Sequence, residues 1–499
     1  MSEHKYREPK YAELPDTSSR TVKPLASAQS CTLPLMAIYP DRTVVSELTG
    51  QVTTFEHYCE HLPQIQRHLV ITYSSETWLW LLNERWASDP RWTWQVMVQH
   101  RPNAKMRQHV SYYGFRPHRG KRKVPFTNMV IDAGSFTNDM DTDLIDLGVK
   151  VRSFCNEHGL RMRGSAPGIA NQLLRHPLFY PDPRRCVPRF VNNTARKHLP
   201  GPFYESYTNG VQRIEAATYI DQEAAYHFAA LETPLPNANS IRAAGFERGE
   251  GVYARAGGEL YEREMRKHGL LHVEAIVPHF SAKRERFLPR TMREPGKRKL
   301  WLWTNEIPYL EKMGLRILHL ISVWGTDEID TGMKRYAQWA RGISRANPHL
   351  KALLLMPYGA LGRRPDKIKL HSPHGGDDLL LAGQWIEGTR SHSVRVKTYT
   401  ANALQLGLIQ AHVRTLSLDM AQQLSAKGEE VISVYADGIF IRLGEDRQIP
   451  MFAPWRLKED SLELHLNDSL RVPVRAAVRR DYMAAQVAAT DYIEGTVNV

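Results

Sequence analysis

Apolar positions along the chain follow two rhythms. Short runs of β-branched and aliphatic residues read as buried strands at His68-Leu-Val-Ile-Thr-Tyr73, at Asn128-Met-Val-Ile-Asp132, and in a closely spaced pair, Val431-Ile-Ser-Val-Tyr435 and Gly438-Ile-Phe-Ile441. Helical spacing marks Thr77 to Trp86, then Gly332 to Gly362 with an interruption at Pro348. It returns from Thr398 to Lys427 as one long amphipathic helix that leads into the 431–441 hairpin. Strands and helices alternate from Leu33 to about Leu173, which predicts an α/β domain. A Pro- and Arg-rich stretch, Pro177 to Arg189, reads as a linker. Residues 1–30 are polar and aperiodic, as in a flexible tail. Pro234 and Pro236 are followed by a basic, loop-rich stretch from His279 to Lys299, and a polar loop is expected from His371 to Asp378. There is no internal repeat or low-complexity tract.

Composition narrows the class. The 499 residues exceed one simple core and predict several lobes. Lys and Arg number 66 against 53 acidic residues, a net charge of +13 spread through the chain, which favours a polyanionic partner such as nucleic acid. Cys31, Cys59, Cys155 and Cys186 are scattered and form no CxxC pair, so neither a zinc ribbon nor a disulfide scaffold is implied and a reducing cytoplasm is expected. No apolar run has the length of a membrane span, and no secretory leader is expected.

Two carboxylates carry the candidate chemistry. Asp437 stands between the two apolar strands of the predicted hairpin, a costly place for a charge without a metal or partner. Asp221 ends a similar apolar run in Thr218-Tyr-Ile-Asp221. Paired carboxylates could hold the two divalent ions of nucleotidyl transfer, one activating a hydroxyl and one steadying a triphosphate. Lys351 could supply a fixed cation, and Tyr358 follows it two helical turns later on the same face. Simpler explanations exist for each. Asp437-Gly438 is a favoured turn pair, Asp221 could be an ordinary strand-end residue, and a lysine opening a helix is commonly solvated.

Taken in order, these segments resemble the family B DNA polymerases, particularly the protein-primed branch of phages and linear plasmids. Motif A of that family, D-x-x-S-L-Y-P, resembles Asp221-Gln-Glu-Ala-Ala-Tyr226-His227; motif B, K-x-x-x-N-S-x-Y-G, resembles Lys351 through Gly359; motif C, D-T-D-S-I, resembles Tyr435-Ala-Asp437-Gly-Ile439. Lys197-His-Leu-Pro-Gly201-Pro-Phe203 is similar to the Y-x-G-G segment between exonuclease and polymerase lobes, and Arg480-Asp-Tyr482 to the K-x-Y segment at the primer terminus. The intervals from Asp221 to Lys351 and from Lys351 to Asp437 are long enough for the two insertions of the protein-primed branch.

The resemblance implies an α+β right-hand polymerase, with an antiparallel palm sheet, helical fingers and an N-terminal α/β RNase H-like domain of exonuclease type. Its expected parts are a tail (1–30), a degenerate exonuclease-like domain (31–195), palm with a first insertion (196–333), fingers (334–362), palm with a second insertion and motif C (363–450), and a C-terminal palm with a reduced thumb (451–499). It implies two Mg2+ ions, replaceable by Mn2+, on Asp221 and Asp437, with Lys351 on the triphosphate and Arg341 and Arg345 as a second phosphate contact. Tyr226 would lie under the sugar and exclude a 2′-hydroxyl, and Tyr358 would pack on the nascent base pair. Gly201, Arg480 and Tyr482 would touch primer and template. The implied partners are a DNA template and primer, dNTPs and a terminal or priming protein, with no membrane.

Several positions depart from the pattern. No Asp-x-Glu occurs in residues 1–195, and Thr72-Tyr-Ser-Ser-Glu76 lacks the Asn and Asp of the second exonuclease motif, so this domain is expected to guide template and not to cut. Tyr435 replaces the first aspartate of motif C, and Leu355-Met356 replace the Asn-Ser of motif B, which implies reduced fidelity. His371, His374, Asp377 and Asp378 could form a metal site, but Pro373, Gly375 and Gly376 favour a solvated loop. A reverse-transcriptase-like enzyme fits the Asp221 and Asp437 segments but gives Lys351 and Tyr358 no role. A decayed polymerase that only binds nucleic acid is the non-enzymatic alternative.

Overall fold

The computed structural model describes residues 31–57, 68–73, 92–99, 109–117, 128–137, 139, 141–163, 165–180, 187–201, 204–207, 212–243, 253–280, 287–289, 292–363, 366–371, 384–386, 391–397, 400–442, 454–467 and 472–475. The 1–30 tail, the 77–86 helix, His374, Asp377, Asp378, Arg480 and Tyr482 lie outside these residues. The chain divides into two compact units, one comprising Met1–Thr137, Asp143–Pro183 and Thr331–Pro357, the other the remainder.

The first unit is built on a mixed sheet formed by β1 (Leu35–Ile38), β2 (Thr43–Ser46), β3 (Val52–Thr54), β4 (His68–Thr72) and β7 (Asn128–Asp132), in the order β3-β2-β1-β4-β7. Its central pairs, β1 with β4 and β4 with β7, are parallel, while β2 and β3 add an antiparallel edge. Parallel strands are covered on both faces, which is why Leu69, Val70 and Ile71 form an unbroken apolar run and are all buried. Between β4 and β7 in sequence, β5 (Trp92–Gln99) and β6 (His109–Pro117) form an antiparallel ribbon. The helix Leu144–Glu157 covers the sheet with Leu147, Val151 and Phe154; Asp143 caps it, accepting from the backbone N–H groups of Ile145 and Asp146. Gly148 permits close packing, because a Cβ there would lie 2.9 Å from Leu35.

The helix Gly332–Ala346, expected in the fingers, belongs to this same unit. Tyr336 and Trp339 pack around Phe179, and Gly332 lies against the Tyr180 ring. As the sequence predicts, the helical stretch breaks at Pro348, where a 3-10 turn (Pro348–Leu350) separates this helix from Lys351–Leu361. Pro357 does not end the second helix.

The second unit centres on a six-stranded sheet. Its strands are β8 (Tyr204–Ser206), β9 (Gln212–Gln222), β17 (Glu430–Tyr435), β18 (Gly438–Arg442), β19 (Trp455–Asn467) and β20 (Val472–Arg475), in the order β20-β19-β9-β18-β17-β8, with every neighbouring pair antiparallel. Between β9 and β17 the chain adds two further antiparallel sheets. One joins β10 (Ala254–Arg255), β11 (His268–Val277), β12 (Gly296–Trp303) and β13 (Arg316–Thr326); the other joins β14 (Asp366–His371), β15 (Gln384–Ile386) and β16 (Ser391–Lys397). The expected loop from His279 to Lys299 is therefore partly wrong. Its last residues open β12, where Leu300 and Leu302 face the core and Lys297 and Lys299 face out, an alternation hidden in sequence by the density of basic residues. His371, expected in a loop, ends β14.

The helix expected over Thr398–Lys427 spans Ala403–Ala426 and is capped by Asn402, which accepts from Gln405 N. Its residues Leu418, Met420 and Leu424 join one apolar core with Ile220, Val434 and Ile439 of the central sheet and Val273, Leu302 and Leu320 of the neighbouring sheet. Gly407 allows the closest approach: a Cβ there would meet the Trp303 ring at 2.0 Å.

Candidate active site

Asp221 is next to last in β9, a strand flanked on both sides. Its backbone stands opposite Gly438 of β18 and Arg456 of β19. One residue further on, Gln222 N donates to Asp437 O at 2.9 Å, and Glu223 N donates to Pro454 O at 2.7 Å. The end of β9 is thereby fastened both to the β17–β18 turn and to the start of β19. This brings the segments of the two predicted carboxylates together.

The turn itself is Ala436-Asp437, closed by the Tyr435–Gly438 pair. The sequence had pointed to Asp437-Gly438 as turn residues, but Ala436 takes the left-handed conformation, φ 53°, and Gly438 opens the return strand. Gly438 serves packing instead: a Cβ there would lie 2.3 Å from the Tyr219 ring, which stacks on Phe440. Ala224, just after Asp221, is also left-handed at φ 51°. Each alanine costs roughly 1–2 kcal/mol that a glycine would avoid.

Asp221 is only 4 % exposed, so its charge needs partners. Lys458 Nζ lies 3.2 Å from its Oδ2, and Arg456 Nη2 lies 3.7 Å from the same oxygen. Both cations are residues of β19, whose register against β9 shifts between Leu457 and Glu459, at Lys458. The sequence reading missed them, because the β19–β9 pairing that brings them to Asp221 joins segments remote in sequence.

Gln222 is buried beneath the site. Its Nε2 donates to Ser417 Oγ at 2.8 Å and to Val413 O at 3.1 Å, while Ser417 Oγ lies 3.0 Å from both Ala436 O and Val413 O, either of which can accept its one proton. The long helix thus supports both the Asp221 strand and the Asp437 turn.

Tyr226 and Tyr358 are neighbours, with ring centroids 5.7 Å apart and tilted by 48°. Tyr358 is buried and shares a 2.7 Å hydrogen bond with His227 Nδ1. Burial raises the Tyr226 phenol above its ordinary range and the charge of Asp437 adds to the rise, while a hydrogen bond from Gln410 opposes it.

The other candidates are placed as follows. Gly201 uses left-handed backbone, φ +64°, which explains the glycine. Lys351 is the exposed first residue of its helix, and Arg341 and Arg345 lie one turn apart on the preceding helix, all three in the first unit. A cavity of ≈ 480 Å³ in that unit, lined by residues including Phe154, His158, Trp339 and Ile343, contains none of the candidates. Among the described residues no three His, Cys, Asp or Glu side chains cluster as a metal site, and no helix is long and apolar enough to cross a membrane.

In fold the chain resembles the family B DNA polymerases. It is similar to Phi29 DNA polymerase complexed with single-stranded DNA, with a TM-score of 0.50 and 12% identity over 87% of each chain. The same polymerase complexed with primer-template DNA and incoming nucleotides matches with a TM-score of 0.49 at 12% identity, again over 87% of each chain. The family B DNA polymerase of the hyperthermophilic archaeon Pyrobaculum calidifontis matches with a TM-score of 0.36 at 10% identity, over 87% of this chain and 59% of that one. No family model matches the sequence, and no curated protein matches it.

Proposed function

We propose that the protein is a template-directed DNA polymerase that adds dNTPs to a primer at the Asp221–Asp437 end of the six-stranded sheet. The observation that carries this reading is the β9–β18 pairing, which sets the strand of Asp221 beside the turn of Asp437 on a fold similar to that of a DNA polymerase. Asp221 and Asp437 would hold two Mg2+ ions, whose chemistry is to lower the pKa of the attacking hydroxyl and offset charge on the triphosphate. The donor set fits. Mg2+ prefers oxygen ligands and is commonly bound by one or two carboxylates, with water and substrate phosphates completing its shell. Lys458 and Arg456 both approach Oδ2 of Asp221, and Oδ1 would face the ion.

The chain's own residues would do the rest. Tyr226, packed beside Tyr358, would limit the space for a 2′-hydroxyl. By the resemblance, Lys351, with Arg341 and Arg345, would meet the triphosphate, and Tyr358 would pack on the nascent base pair. Gly201, Arg480 and Tyr482 would contact primer and template. The absence of Asp-x-Glu from residues 1–195 supports a polymerase without proofreading. The β10–β13 sheet, which falls between Asp221 and Lys351 where the protein-primed branch carries an insertion, supports priming from a protein hydroxyl.

Extension of a labelled primer on a DNA template, with Mg2+ and dNTPs, tests the reading. Incorporation is expected for the wild type and abolished in Asp221→Ala and Asp437→Asn, with DNA affinity nearly unchanged in Asp437→Asn. Full activity in either variant would overturn the assignment of the site.

A further inference from the structure

The β10-β13-β11-β12 sheet has one face in the apolar core, through Ala254, Val273, Ala275, Leu302 and Leu320. Strand register sets the composition of the other face. Arg255 stands opposite His319, His319 opposite Glu274, and Glu274 opposite Lys299, so these four residues form one row across the strands. In the next row Arg316 and Lys297 flank Ile276. Directly opposed residues of antiparallel strands share a face, so Arg255, Arg316, Lys297 and Lys299 all stand on the outward side. Glu274 is the one carboxylate in these rows, and Lys297 (3.1 Å) and His319 (3.0 Å) already meet it. The face is left with a surplus of positive charge.

Rings border the cations. Trp301, opposite His272, lies parallel to that imidazole at 4.4 Å and 4°, and His198 stacks on Trp301 at 4.4 Å and 17°. Burial lowers both histidines below the ordinary imidazole range, and the nearby charge of Lys299 adds to the shift of His272. Tyr253, two residues before Arg255 and so on the same side, stacks on His319 at 5.0 Å and 20° yet is 69 % exposed.

We propose that this outward face binds single-stranded nucleic acid, with Arg255, Arg316, Lys297 and Lys299 meeting phosphates and Tyr253 stacking on an unpaired base. Surfaces for single strands combine a cationic track with exposed rings on which bases stack. A duplex, whose bases are already stacked, would use the cations but leave the ring idle, and an acidic protein segment would do the same. The proposal does not depend on nucleotide addition at Asp221 and Asp437.

The test uses the full chain and a single-stranded oligodeoxynucleotide carrying 5-iododeoxyuridine, irradiated and mapped by peptide mass spectrometry. Adducts are expected on Tyr253 or Trp301, in the wild type and equally in Asp437→Asn. In anisotropy titrations without triphosphates, Tyr253→Ala should weaken single-strand binding by at least about fivefold and change duplex binding by less than about twofold. The double variant Lys297→Glu, Lys299→Glu should lower the slope of log affinity against log salt by about 1.4. All three substitutions are at exposed positions, and circular dichroism verifies that the variants fold. Adducts confined to residues outside 253–326, an unchanged salt slope, or equal weakening of single-strand and duplex binding by Tyr253→Ala would overturn the proposal.

Discussion

Gln222 Nε2 donates to Ser417 Oγ at 2.8 Å, joining the residue after Asp221 to a helix far along the chain. Because Ser417 Oγ also lies 3.0 Å from Ala436 O, which shares its proton with Val413 O, one buried hydroxyl touches both carboxylate-bearing segments. Ser417 is fully buried, so no water can replace a lost partner without rearrangement.

Ser417→Ala is therefore expected to destabilise the fold by about 1–3 kcal/mol, because it removes one of the two acceptors of the buried Gln222 amide and leaves only Val413 O. The effect on the site is more specific. With Ala436 in a left-handed conformation and its carbonyl released, the Asp437 turn loses a restraint, and half-maximal primer extension should require several-fold more Mg2+. A Mg2+ titration of extension rate, beside a thermal melt, checks both; an unchanged Mg2+ requirement would reduce Ser417 to a packing role.

Removing the cations beside Asp221 gives a second outcome. Lys458 and Arg456 are partly exposed, so their screened attraction is modest, but without both a buried carboxylate has no counter-charge. The double variant Arg456→Ala, Lys458→Ala should lose about 1–2 kcal/mol in chelator. Millimolar Mg2+ should restore more stability to it than to the wild type, since an ion bound only by the folded state stabilises it by linkage. Melting curves with and without Mg2+ measure the difference directly.

Much of this arrangement could be read in the sequence, for identifiable reasons. The 431–441 hairpin and the 403–426 helix are strongly periodic segments whose burial is settled by local pattern, and Asp437 was found because it interrupts one of them. Lys458, Arg456 and Ser417 could not be found that way. Their roles arise from pairings between β9, β19 and the long helix, contacts remote in sequence that leave no local trace. The β12 strand was obscured because a strand with one solvated face can carry lysines at alternate positions and still be a strand.

Tyr226 offers a test of substrate choice. Its ring rests on Tyr358, itself fixed by the 2.7 Å bond with His227, and it lies near Asp437. Tyr226→Val should open space for a 2′-hydroxyl and raise ribonucleotide use relative to deoxynucleotide use by about 10–200-fold, the range for one steric contact. Tyr358→Phe, which keeps the ring and removes the hydrogen bond, should cost about 1 kcal/mol of stability and change sugar choice little. Ratios of kcat/KM for matched rNTP and dNTP pairs decide the point.

The last prediction concerns acid. His412, on the long helix against Phe228, is pulled by burial to about 4, and its Nε2 is buried without a hydrogen-bond partner. An unfolded histidine titrates near 6.5. Between these values the unfolded chain binds a proton that the folded chain excludes, so the contribution of His412 is complete above about pH 6.5 and declines as pH falls toward 4. At about pH 5 the loss from this one residue is about 2 kcal/mol. His158, His176, His198 and His272 are lowered in the same direction, so the wild type should lose stability to several histidines at once. His412→Leu isolates one share. Relative to the wild type, its Tm should rise as pH is lowered from about 7 to about 5, whereas a constant Tm difference across that range would mean that His412 is protonated in the folded protein.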